Sequence, residues 1–79
     1  MSAATPGRLR WRCRRGMQEL DVLLGGFLEA RWDALDGPDR ARFVALLDEQ
    51  DPQLYGWLTG HATHPDPAVR ALLARIAAD

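Results

Sequence analysis

Glu19-Leu20-Asp21-Val22-Leu23-Leu24-Gly25-Gly26-Phe27-Leu28-Glu29 is the stretch that decides the fold class. Its apolar residues Leu20, Leu23, Leu24, Phe27 and Leu28 fall at i, i+3, i+4, i+7 and i+8, the stripe of an amphipathic helix laid against a core. A strand would need alternation with a period of two, and no such run of β-branched residues extends beyond a few positions anywhere in the chain. The helical spacing returns at Phe43, Leu46 and Leu47, at Leu54, Trp57 and Leu58, and at Val69, Leu72, Leu73 and Ile76. The chain is therefore expected to be all-α.

Punctuation sets the boundaries. Thr5-Pro6 starts a first helix, with proline near the position where its missing N–H costs nothing, and this helix carries Leu9, Trp11 and Cys13 up to the arginine pair. A second helix begins after Gly16 and runs to about Leu35, before Asp36-Gly37-Pro38. Asp36 caps the third, which Asp48-Glu49-Gln50 closes. Asp51-Pro52 and Asp66-Pro67 repeat the cap-plus-proline start for a fourth helix, ending at Gly60, and a fifth. The short connections imply a compact single-domain bundle of about five short helices over residues 7–79, with residues 1–6 as a disordered tail. Leu24, Phe27, Phe43, Leu47, Trp57 and Leu73 are the expected core. Gly25-Gly26 inside the second helix costs about 1 kcal/mol per glycine relative to alanine, and the pair is expected to permit close approach of a neighbouring element.

The 79 residues, 47% of them apolar, allow one modest core and exclude a second domain. An enclosed catalytic cavity would use up much of that core, which favours binding at the surface. The net charge of −1 conceals an asymmetry: Arg8, Arg10, Arg12, Arg14 and Arg15 crowd the first fifteen residues without an acid, and all the acidic residues follow. Cys13, the single cysteine, allows no internal disulfide. It is expected as a small packed residue, the alternative being a thiol activated by the neighbouring arginines. No apolar stretch approaches the roughly 20 residues that a membrane span needs.

An enzyme is not expected. His61, His64 and Asp66 lack the spacing and ligand set of a convincing zinc motif, so no metal site is assigned. Ser2 lies in the tail, Cys13 has no histidine near it in sequence, and no glycine-rich phosphate cradle is present.

Arg14-Arg15-Gly16-Met17-Gln18-Glu19-Leu20-Asp21 is the candidate site. As a plain turn it needs little comment: a glycine stop, arginines on the preceding helix dipole, acids in the next first turn. As a surface it offers more. Gly16 removes bulk, Arg15 presents a planar fork to a carboxylate or phosphate, and Glu19 presents acceptors to a cation.

Arg10-Trp11-Arg12-Cys13-Arg14-Arg15-Gly16-Met17-Gln18-Glu19-Leu20-Asp21, followed by Phe43-Val44-Ala45-Leu46-Leu47 and Asp51-Pro52-Gln53-Leu54-Tyr55-Gly56-Trp57-Leu58, resembles the SdhE family of flavinylation factors over about residues 8 to 76. Gln18 departs from the pattern at a position that is often basic. The resemblance implies a non-enzymatic assembly factor that docks on the flavoprotein subunit of succinate dehydrogenase or fumarate reductase and promotes covalent attachment of FAD. No cofactor would be bound stably, because FAD is handled on the partner. Arg15, Gly16 and Glu19 would form the contact triplet, flanked by Arg14, Met17 and Asp21, with Trp11 and Arg12 as further candidates. The resemblance starts at about Arg8, which leaves no room for a removable leader and implies a bacterial cytoplasmic protein.

Two other classes of function compete. Members of the same family have been assigned as the antitoxin half of a small toxin–antitoxin pair, a partner-binding role that would use the acidic body. The arginine-rich head with Trp11 interleaved is also a minimal kit for phosphate and base contacts. Against nucleic acid stand the acidic body and the lack of a recognition-helix pattern.

Overall fold

The computed structural model describes residues 7–78. Among them lie five α-helices, α1 (Gly7–Arg12), α2 (Gln18–Arg31), α3 (Gly37–Leu46), α4 (Asp51–Thr59) and α5 (Pro67–Ala78), with a 3₁₀ turn at Trp32–Ala34 and no strand. The all-α expectation holds. The expected tail and the Thr5-Pro6 helix start lie outside the described residues, and α1 stops at Arg12, so Cys13 belongs to the turn that follows it.

The apolar stripes behave as their spacing requires. Leu20, Leu24, Phe27 and Leu28 of α2 are buried, with Leu23 only partly so. Phe43 and Leu46 of α3, with Leu47 just after it, complete the core together with Val69, Leu72, Leu73 and Ile76 of α5. The last helix packs on α2, α3 and α4, so it closes the core. At its centre the Phe27 and Phe43 rings stack with centroids 5.8 Å apart.

Caps agree at three places. Asp36 Oδ1 accepts the Asp39 N–H at 2.9 Å, Asp66 Oδ1 accepts the Ala68 N–H at 2.8 Å, and Gly60 ends α4 at a left-handed φ of 86°.

Four expectations are corrected. The second helix does not reach Leu35: the backbone tightens after Arg31 so that Trp32 turns inward. There the Trp32 ring meets Phe43 edge-on at 6.2 Å and lies 4.8 Å under the Arg40 guanidinium, whose Nε donates to the Trp32 carbonyl. Tertiary packing thus overrides the local helix. Asp51 does not cap α4. Gln50 occupies that position without a side-chain bond, and Asp51 is the first helical residue, its carboxylate directed to Arg15. Trp57 is only half-buried at the edge of the core, edge-on to His64 at 4.6 Å. Finally, Gly25 and Gly26 accommodate no close neighbour, since no atom lies within 4 Å of where a Cβ would stand on either. Gly25 opens instead onto a groove beside α1.

Candidate functional site

Between α1 and α2 the chain reverses through Cys13, Arg14, Arg15, Gly16 and Met17. Gly16 makes the reversal at a φ of 87°, a region that costs any L-residue with a Cβ about 1–2 kcal/mol. The space beyond it is open, with no atom within 4 Å of a Cβ position. Gly16 is therefore both required by the backbone and exposed to an approaching surface.

Arg15 lies beneath that spot, and its side chain is only 12% exposed. Its Nε donates to Asp51 Oδ1 at 2.8 Å. Nη1 donates to the Leu47 carbonyl at 2.6 Å and to the Arg12 carbonyl at 3.4 Å, and Nη2 donates to the Glu49 carbonyl. Its own N–H donates to Asp21 Oδ1 at 2.5 Å. The physical logic is that of helix termini. Leu47 is the C-cap of α3 and Glu49 lies in the turn after it, so their carbonyls lack helical partners, and a cation there also meets the negative end of the dipole. The open fork expected of Arg15 is thus corrected: its donors are engaged within the chain.

Glu19, in the first turn of α2, is exposed, and side-chain hydrogen bonding to its carboxylate, together with that group's charge, raises the Tyr55 pKa above its usual value. Met17 is half-buried against the core and Gln18 is exposed. Arg14 lies over the Trp11 ring, 5.6 Å from its centroid, and that indole is 71% exposed. Arg12 pairs with Asp48.

These arrangements bring Arg14, Arg15, Gly16, Glu19 and Asp21 to one corner, with Trp11 alongside. They also add Asp51 and Tyr55, which sequence reasoning missed as members of the site. The two stand four residues apart on one face of α4, but nothing local says which face of that helix turns toward Gly16. The basic head is largely answered by the acidic body: Arg10 lies 3.6 Å from Glu29, Arg12 reaches Asp48 and Arg15 reaches Asp51. That pairing removes much of the field a polyanion would meet.

Cys13 is 2% exposed. Burial pushes its thiol up to about 11 despite the opposing charges of Arg15 and Arg12. The alternative of an arginine-activated thiolate gives way, because desolvation outweighs the cations. His61 and His64 turn to local partners: the His61 Nδ1 lies 2.6 Å from the Thr59 hydroxyl, and the His64 Nδ1 accepts the Asp66 N–H at 3.0 Å.

Residues 7–79 match the family model described as the flavinator of succinate dehydrogenase. The chain belongs to this family. Among curated relatives, the FAD assembly factor SdhE of Shewanella oneidensis is 41% identical over 69 residues, covering 87% of this chain and 84% of the relative. That of Photobacterium profundum is 41% identical over 78 residues, covering 99% and 89%. That of Vibrio cholerae is 39% identical over 77 residues, covering 98% and 90%. The flavinator family match begins at Gly7, so it takes in the whole Gly16 corner and every helix that supports it.

Proposed function

We propose that this chain is a non-enzymatic FAD assembly factor that docks on the flavoprotein subunit of succinate dehydrogenase and favours the conformation in which FAD bonds covalently to a histidine of that partner. The observation that carries the reading is the Gly16–Glu19 corner: a bare, open backbone position and an exposed carboxylate, held on a turn that is braced from two sides. The names of the relatives support it. Gly16 and Glu19 are the principal contacts, and Arg14 and Trp11 extend the surface beside them. Met17 and Arg12 flank it from positions partly engaged inside the chain. The corner supplies shape and charge; the flavin and the partner's own groups supply the bond-making chemistry. FAD stays on the partner throughout, the fumarate reductase flavoprotein is a second client of the same corner, and the cytoplasm is where assembly takes place.

The test is covalent flavin on purified flavoprotein subunit incubated with FAD, with and without this chain, read by in-gel fluorescence. The parent chain raises the fluorescence, and Glu19→Ala lowers that gain several-fold while its circular dichroism stays that of the parent. A Glu19→Ala chain as effective as the parent would remove the corner from the proposal.

A further inference from the structure

We infer that Asp51 is a positioning residue for the docking corner, acting through Arg15, which works as an internal strap between that corner and the turn joining α3 to α4. The inference rests on the proposed docking role and deepens it, since it concerns what holds Gly16 and Glu19 in place.

Arg15 is pinned at both ends. Its N–H is held by Asp21 from α2, and its guanidinium is held by Asp51 and by the Leu47 and Glu49 carbonyls, residues 32 to 36 positions away. Gly16 follows directly in the chain, so whatever fixes Arg15 fixes where the reversal begins and how α2 presents Glu19. A planar fork suits this task because its donors point in set directions, and an ammonium has no equivalent. Asp51 Oδ1 lies 2.8 Å from Nε. This carboxylate is the acid facing the fork, since Asp48 is engaged by Arg12 and Glu49 offers Arg15 its carbonyl.

The turn that receives the strap does not need it to form. Leu47 N–H bonds to the Phe43 and Val44 carbonyls, Asp48 N–H to Ala45, Glu49 N–H to Leu46, and Leu54 N–H to Gln50. Helices α3 and α4 are thus closed by their own backbone and by buried Phe43, Leu46, Leu54 and Leu58. Removing the Asp51 carboxylate leaves those elements in place and takes away the partner of Nε, so the guanidinium keeps only its carbonyl contacts and loosens, which moves the corner rather than the core.

The experiment titrates each variant of the full chain into the flavoprotein subunit with FAD, at a temperature where circular dichroism shows the variant folded. It reads the half-saturating concentration and the plateau of covalent flavin. In parallel, ¹H–¹⁵N spectra of the free chain follow the amides of Gly16, Glu19, Phe27 and Leu72. Asp51→Asn is expected to raise the half-saturating concentration roughly tenfold, the scale of one charge-assisted bond, with the plateau kept. Its Gly16 and Glu19 amides shift while those of Phe27 and Leu72 stay. Asp51→Glu recovers part of the loss, and Arg15→Gln with Asp51→Asn together are no weaker than Arg15→Gln alone, because the two act as one unit. Arg15→Lys, which keeps the charge and loses the fork, weakens docking like Asp51→Asn and carries the test should Asp51→Asn fail to fold. Parent-like docking and amide positions in folded Asp51→Asn or Arg15→Lys would overturn the strap, as would losses that multiply in the double variant. Failure of the docking role itself has a different signature: Glu19→Ala and Gly16→Arg would leave flavinylation untouched, while the Gly16 amide would still report the strap in Asp51→Asn.

Discussion

Gly16 and Gly60 adopt almost the same backbone, with φ of 87° and 86°, and neither has an atom within 4 Å of a Cβ position. Their surroundings differ. Around Gly60 every bond is local: Thr59 donates to the Tyr55 carbonyl, the Ala62 N–H to the Gly56 carbonyl, and the Asp66 N–H to His64. Around Gly16 the neighbours reach across the molecule, from Arg15 to Asp51 and to the Leu47 and Glu49 carbonyls. One glycine is helix punctuation that its own segment satisfies. The other is a reversal that three elements hold in a set orientation, and an orientation is worth holding when something must dock against it.

The largest expected effect treats the two turns alike. Phe27→Ala removes the ring stacked on Phe43 and should cost about 3–5 kcal/mol, most of the stability available to a domain of this size. Thermal melting should show a fall of many degrees, with flavinylation lost only through unfolding. Trp57→Ala, beside the Gly60 loop, should cost clearly less because that indole is already half-exposed. A Trp57→Ala loss equal to that of Phe27→Ala would place the edge of the core elsewhere.

The next effect separates the turns. Gly16→Arg and Gly60→Arg should each lose about 1–2 kcal/mol from the left-handed backbone, measurable as similar drops in denaturation midpoint. Covalent flavin on the partner should then fall at least tenfold for Gly16→Arg and stay near the parent level for Gly60→Arg. Equal flavinylation by the two variants would make both glycines mere punctuation. Glu19→Ala sharpens the contrast from the side-chain direction: several-fold less flavin with an unchanged melting temperature, whereas Thr59→Ala at the other turn should leave flavinylation alone.

The last effect lies in the pH dependence of stability. The Cys13 thiol ionises near 9.0 when unconstrained and at about 11 in the folded chain. The unfolded state therefore loses its proton first, and the contribution of Cys13, full below pH 9, is lost as pH rises from there to about 11. Chemical denaturation across that range should show stability falling in the parent and falling less in Cys13→Ala. At neutral pH the thiol should react slowly with alkylating reagents, in line with its burial.

Much of this protein follows from its amino acids read in order. The stripe from Leu20 to Leu28, its repeats in α3 and α5, the caps at Asp36 and Asp66 and the stop at Gly60 are relations among residues a few positions apart, and such relations survive in any arrangement of the helices. The family resemblance was legible for the same reason, since Arg14 to Asp21 is one continuous string. Tertiary structure alone decided the rest: the break after Arg31 that tucks Trp32 beneath Arg40, the half-exposure of Trp57, and the open space over Gly25 and Gly26. It also decided that Asp51 serves Arg15 instead of capping α4. That pair spans 36 positions, and its existence depends on how α3 and α4 dock against the Gly16 reversal, which no local spacing encodes.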